Sequence, residues 1–315
     1  MNTTSANPSK NTRDYIAVDI GKASLAVCAE GLEKSFENTT AGIAALLKAC
    51  RKFAAPFVVC ESGSYSSPLL AALRKHRIPL AIVPGGRVRH FAKGIGILAK
   101  TDAIDARLLR RFAQETHPPP TAAPAPELAQ LRQFLDARTD IVNRLIQIAG
   151  KLENATGTLR RHLLGERRWQ ERRRQKIDAL LNTHMKTHPA LQSDEQRLTA
   201  VKGIGALTAR TLLAHAPEVR EIRDKTLAAL CGLAPWPNQS GTLDKGSRIR
   251  GGRQSIRNIL HMAALSAIRH NVILRDFYKR LLSRGKPKSV ALVAVMRKLI
   301  MLTHRLLSKP DFNLA

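Results

Sequence analysis

Through the first 115 residues, short apolar runs that end at an acid or a glycine alternate with stretches of helical spacing. YIAVDIG (15–21) and SLAVCAE (24–30) are two such runs separated by a brief turn, and they predict a β-hairpin. GIAALLKACRKF (42–53) places its apolar residues three and four apart, the period of a helix with one buried face. PFVVCE (56–61) reads as a buried strand ending in a second acid, SPLLAALRKHR (67–77) as a helix and PLAIVP (79–84) as a further strand. RHFAKGIGILAK is a basic stretch interrupted by glycines, and DAIDARLLRRFAQE (102–115) predicts a helix. Strands alternating with helices imply an α/β layered domain over residues 13–117.

The pattern then changes. HPPPTAAPAP (117–126) holds too much proline to propagate a helix or a central strand, so residues 118–126 are expected to be a linker. Beyond it, Leu128, Leu131, Leu135, Val142, Leu145, Ala149 and Leu152 follow a heptad seam with Arg138 as the polar intruder. That seam fits a coiled-coil contact and the core face of a monomer's helix equally well. The helical segment is expected over 127–195. From 196 to 315 a mainly α-helical C-terminal domain is expected, with a glycine-rich middle and a last helix near 287–307. Residues 1–12 are polar and read as a disordered tail.

Charge changes the picture from a fold to a partner. Lys and Arg number 52 against 24 Asp and Glu, a net charge of +28, which points to a polyanion and first of all to nucleic acid. Residues 1–117 carry 17 basic and 9 acidic side chains, and the remainder 35 and 15, so the C-terminal two-thirds is expected to hold the main grip. RRHLLGERRWQERRRQK (160–176), with Arg167, Arg168, Arg172 and Arg173, has eight basic residues and two acids. Such density favours phosphate contact over a merely solvated face. Cys28, Cys50, Cys60 and Cys231 form no CxxC pair, which argues against a zinc site and fits reduced thiols in a cytosolic protein. The polar start carries no apolar signal core, and no apolar run is long enough to cross a membrane.

Within this basic chain a few acids stand out. Asp19 and Glu61 each end a predicted strand, where α/β sheets collect functional groups. Asp102 and Asp105 are one helical turn apart and share a face. Brought together, the four carboxylates would repel unless a cation neutralised them, and hard oxygen ligands suit Mg²⁺ or Mn²⁺. The alternative is that the two aspartates only complement a helix dipole. VKGIGALTARTLLAH (201–215) is a glycine turn opening a helix, in which Gly203 and Gly205 would let backbone N–H groups approach a phosphate, as in a helix-hairpin-helix element. A plain tight turn accounts for it equally well. CGLAPWPNQSGTLDKGSRIRGGRQSIRN (231–258) is a cationic loop carrying Lys245, Arg248, Arg250, Arg253 and Arg257, with Ser240 before a glycine. By pattern alone Ser240 is a turn former.

YIAVDIGKASLAV, CESGSYSSPLLAAL and PLAIVPGGRVRHFAKGIGILAKTDAIDARLL together resemble the N-terminal domain of the DEDD transposases of the IS-one-ten insertion-sequence family, relatives of the Piv-type DNA invertases. AVKGIGALTARTLLA and LAALCGLAPWPNQSGTLDKG with IRGGRQSIRNILHMAALSA resemble that family's C-terminal transposase domain. The resemblance implies a RuvC-like, RNase H-type fold with a divalent-metal site at Asp19, Glu61, Asp102 and Asp105. It implies that Ser240 is a nucleophile forming a covalent phosphoserine link to DNA. It further implies a structured non-coding guide RNA, for which the basic helix is a binding surface, and a homo-oligomer acting on donor and target DNA in a prokaryotic cytoplasm. ESGSY departs from the family's commoner EATGGY-like motif, and QSGT offers one serine where relatives carry SSGG. The expectation is a transposase or site-specific recombinase. A RuvC-like metal-dependent endonuclease and a non-catalytic nucleic-acid-binding protein are the rival readings.

Overall fold

The computed structural model describes residues 13–61, 63–222, 224–236, 239–240, 243–244, 248–309 and 311–312. The tail read at 1–12 lies outside them. The chain divides into two compact units, meeting between Ala123 and Pro124.

The first unit is a mixed α/β layer. Strands β1 (Asp14–Ile20), β2 (Ser24–Ala29) and β3 (Leu32–Glu37) form an antiparallel meander, and β4 (Pro56–Glu61) and β5 (Leu80–Val83) add in parallel, giving the order β3-β2-β1-β4-β5. The predicted hairpin is therefore a three-stranded meander. Its third strand, LEKSFE, escapes the hydrophobic pattern because it is an exposed edge with a mostly polar composition. Both faces of the central strands are covered, which is why they read as continuous apolar runs. Ile16, Val18, Val58, Cys60 and Leu80 pack with helices α1 (Thr40–Cys50) and α2 (Ser67–Lys75). Tyr15, Ala17, Phe57, Val59, Ala81 and Val83 point the other way, toward α3 (Gly85–Gly94) and α4 (Asp102–Thr116). The glycine-interrupted basic stretch is thus helical over its first half, and α3 ends at its first glycine, Gly94.

The proline-rich stretch is docked for half its length. Thr121 N–H donates to the Leu80 carbonyl at 2.7 Å, and the Ile82 N–H donates to Thr121 Oγ1 at 2.9 Å. The Tyr15 hydroxyl meets His117 Nδ1 at 3.1 Å, and Arg13 donates to the Pro118 carbonyl. Residues 117–121 therefore belong to the first unit, and the tether is shorter than the proline content suggests.

The second unit is helical apart from short ribbons. Helices α5 (Pro126–Asn154) and α6 (Gly157–Thr187) form a long antiparallel hairpin, tied by Arg144 to Glu166, Arg138 to Asp178 and His184 Nε2 to the Glu127 carbonyl. Then follow α7 (Pro189–Thr199), α8 (Ala206–His215), a 3₁₀ turn (Pro217–Arg220), α9 (Asp224–Leu230), α10 (Gln254–His270), α11 (Val272–Ser283) and α12 (Lys288–Ser308). The heptad seam is buried inside the chain at Leu131, Leu135 and Leu152, while Val142 and Leu145 are half-buried and Ala149 is exposed. Leu131 and Leu135 enter the same core as Leu212, Leu260 and Leu299, while Leu152 packs with Ile148 and Leu163 near the hairpin's far end. The segment read as 127–195 and the domain read as 196–315 consequently share one apolar core. Among the described residues no helix is long and apolar enough to cross a membrane.

Gly203 shows how tightly that core closes. Its φ is +115°, and a β-carbon there would lie 2.6 Å from the Ala267 β-carbon on α10. Gly205, which caps α8, faces open space. Gly203→Ala is expected to cost about 1–3 kcal/mol, and Gly205→Ala a few tenths to about 1 kcal/mol. Urea unfolding of the two variants checks the order, and equal losses would contradict the close approach.

Candidate active site

The acids of the first unit are gathered by sheet register. β1 and β4 are parallel neighbours with Val18 beside Cys60, so Asp19 and Glu61 emerge next to one another at the carboxyl ends of their strands. Both follow the odd-numbered positions that face α3 and α4. Helix α4 starts at this end. Thr101 caps it, its Oγ1 accepting from the Ile104 N–H at 3.2 Å, and Asp102 and Asp105 occupy its first turn.

The charges of these groups act on one another. Asp19 is pushed above its ordinary pKa by burial, then by the charges of Asp102 and Asp105, with Lys100 opposing. Glu61 is pushed up by burial, then by Asp19 and Asp105, with Lys100 and Arg89 opposing. Arg89 on α3 approaches Asp105 at 3.8 Å. The donors are all carboxylate oxygens, and their mutual repulsion favours a hard cation. They form an open set: among the described residues no three His, Cys, Asp or Glu side chains stand close enough to share a metal ion. A cavity of ≈ 350 Å³ opens beside Asp102, lined by Ala26, Cys28, Lys34, Ser35 and Ala106 among others.

One residue of this site escaped the sequence reading. A β-carbon on Gly85 would fall 2.2 Å from Glu61 Oε2, so only glycine leaves that carboxylate its place at the start of α3. The Pro-Gly-Gly sequence at 84–86 was the available signal.

Ser240 belongs to the second unit, at the far end of a clasped arm. The backbone closes a neck where the Arg253 N–H donates to the Leu230 carbonyl at 2.9 Å. There Gly232 (φ +66°) and Gly252 (φ +67°) approach so closely that a β-carbon on Gly252 would sit 2.0 Å from the Gly232 nitrogen. Strands β6 (Pro235–Trp236) and β9 (Arg248–Ile249) extend the neck as an antiparallel ribbon. Beyond them β7 (Gln239–Ser240) pairs with β8 (Leu243–Asp244), Ser240 opposite Leu243.

The basic residues of this region divide into two groups. Arg253 forms a forked pair with Glu218, at 2.8 and 2.5 Å, and donates to the His215 carbonyl. Arg257 donates to the Gly251 carbonyl at 2.6 Å and reaches the Gly232 carbonyl. Both guanidinium groups therefore hold the neck. Arg248 and Arg250 are exposed, and Lys245 lies outside the described residues. On α6, Arg167, Arg168, Arg172 and Arg173 are all exposed; Arg167 pairs with Glu171 at 3.0 Å, and Arg173 lies 4.7 Å over the Trp169 ring. Gly203 is committed to packing on α10, whereas Gly205 remains open at the start of α8.

The first unit gathers carboxylates at its strand ends and the second carries a clasped arm; what the chain is comes from comparison with known proteins. The model of the IS110 DEDD domain, described as "Transposase", matches residues 16–159. The model described as "Transposase IS116/IS110/IS902 family" matches residues 195–279. The chain belongs to this transposase family and is a DNA recombinase. It is 27% identical over 252 residues to the pilin gene-inverting protein of Moraxella bovis, covering 78% of each chain, and equally to that of Moraxella lacunata. An insertion element IS110 protein of 43.6 kDa from Streptomyces coelicolor is 28% identical over 141 residues, which are 44% of this chain and 34% of that one.

The crowded carboxylates set a sign that can be checked. A carboxyl raised above its ordinary pKa stabilises the fold at low pH, and that contribution is lost as pH rises through the raised value. Asp102→Asn removes one source of the rise at Asp19. The metal-free variant is expected to melt at a higher temperature than wild type near neutral pH, with the gap closing toward about pH 3. A lower melting temperature at neutral pH would mean that Asp102 acts chiefly as a helix-start acid.

Proposed function

We propose that the chain cuts and rejoins DNA through a covalent serine link, with a RuvC-like first unit supplying a divalent-metal site. The observation that carries this is the placement of Asp19 and Glu61 at neighbouring strand ends, where Asp19 feels the charges of Asp102 and Asp105 and Glu61 those of Asp19 and Asp105, in a strongly basic chain. Asp19, Glu61, Asp102 and Asp105, which are too far apart in the free protein for three of them to share one ion, would draw together to hold Mg²⁺ or Mn²⁺. When bound, the ion neutralises charge on the phosphate oxygens.

The rest is chemistry of the chain's own residues. Ser240 Oγ bonds to phosphorus while the bond from phosphorus to one deoxyribose oxygen breaks. The hydroxyl proton passes to solvent, and the leaving oxygen takes one up. Rejoining runs the same exchange backward and returns Ser240 to its hydroxyl form. The phosphodiester's bond energy is kept in the serine ester, so no external energy source is needed. Arg248 and Arg250 contact backbone phosphates, and the neck held by Arg253 and Arg257 sets where the arm begins. The exposed arginine face of α6 receives a structured guide RNA. A second copy of the chain completes the assembly on donor and target DNA. The inverting relatives make inversion of a DNA segment as natural an outcome as transposition.

The test uses purified protein, Mg²⁺, RNA transcribed from the flanking DNA and a labelled element junction. Wild type is expected to retain label on a denaturing gel, and Ser240→Ala to lose it by at least about 10³-fold, the order seen when an essential nucleophile is removed. Metal-dependent cutting that leaves no adduct and survives Ser240→Ala would establish the endonuclease instead. Unchanged DNA reactions in Asp102→Asn would remove the metal site from the mechanism.

A further inference from the structure

Trp236 has no role in the chemistry above, yet its position calls for one. It stands four residues before Ser240, on the ribbon that leads to the serine strand, and 54% of its surface is exposed. An indole so exposed loses the burial that normally justifies its size. Its cross-strand partner is Arg248, also exposed. Directly opposed residues of an antiparallel pair project on the same side, so the indole and the guanidinium share one face of the ribbon. The following pair, Pro235 and Ile249, points to the other side, where Ile249 is half-buried. The outward face thus offers an aromatic plane with a cation beside it, and exposed Arg250 follows. Flat aromatic surface next to fixed positive charge is what single-stranded nucleic acid binds, by base stacking and phosphate pairing together.

We propose that Trp236 is a stacking platform for an unpaired base of the DNA strand on which Ser240 acts, with Arg248 taking the adjoining phosphate. The strand's identity rests on the serine reading; the stacking itself does not. The platform explains why the arm carries a large aromatic on a two-stranded ribbon that leaves more than half of it exposed. It also provides a contact that forms only once the strand is locally unpaired.

The chain has two tryptophans, so Trp169→Phe leaves Trp236 as the only indole emitter. In that protein we expect indole emission to fall as a single-stranded oligonucleotide is added, with the midpoint given by the anisotropy of a labelled strand. Trp236→Ala should weaken binding about tenfold and leave the salt dependence unchanged, because no phosphate contact is lost. Arg248→Ala should reduce the salt dependence. Trp236→Tyr keeps an aromatic plane and should restore affinity to within about threefold of wild type. Unchanged emission while anisotropy reports binding would overturn the proposal, as would emission that changes with protein concentration alone, the sign of a second copy on this face. A normal serine adduct together with wild-type affinity in Trp236→Ala would remove the platform and leave the serine reading intact. Quenching without any serine adduct would keep the platform and remove the serine reading.

Discussion

The register of one strand pair governs the first unit. β1 and β4 run parallel with Val18 beside Cys60, and this alone places Asp19 next to Glu61 at the strands' carboxyl ends. Neither acid can turn away without taking its strand out of the layer that buries Ala17 and Val59. Helix α4 then brings two more carboxylates to the same end because its cap and first turn are there. The surroundings answer the resulting negative charge sparingly, with Lys100 and Arg89. Gly85 yields the space of a side chain to Glu61. In the free protein, burial and mutual repulsion both oppose the ionisation of Asp19 and Glu61.

In the second unit the constraint is steric. Gly232 and Gly252 let two backbones touch; Arg257 bonds across the contact, and Arg253 anchors it to Glu218 and the His215 carbonyl. Burial opposes the ionisation of Glu218, but the bonds from Arg253 prevail and hold its carboxyl below the ordinary pKa. The charge surplus therefore cannot be read residue by residue as grip on DNA. Arg138, Arg144, Arg210, Arg220 and Arg253 all pair with acids of their own unit. Exposed cations remain on the arm's outer face, at Arg248 and Arg250, and along α6, at Arg168 and Arg172.

The sequence pattern conveyed the layered first unit, the helical second one and the acids at strand ends, because each leaves a local mark: period, run length or an acid that closes an apolar run. It did not convey β3, whose polar edge lacks the buried alternation on which strand recognition depends. Nor could it show that Arg253 and Arg257 face inward. A guanidinium in a glycine-rich loop looks the same whether its partner is a phosphate or a carbonyl 25 residues away, as with Arg257 and Gly232. The heptad seam was ambiguous for the same reason, since Leu131 and Leu135 meet their partners on α8, α10 and α12, far along the chain. The role proposed for Ser240 came from family resemblance, not from its sequence pattern, which reads as a turn.

The docking of Thr121 on β5 bears on how safely this protein can work at high local density. An open sheet leaves two outer strands with unpaired backbone groups, each able to recruit a strand from another molecule. One side is closed by Thr121, whose backbone N–H and side-chain oxygen satisfy the groups at Leu80 and Ile82. The other, β3, carries Glu33, Lys34 and Glu37 along its short length, so an approaching strand would have to desolvate charge to pair with it. Copies crowded along one stretch of DNA can then meet without their sheets fusing.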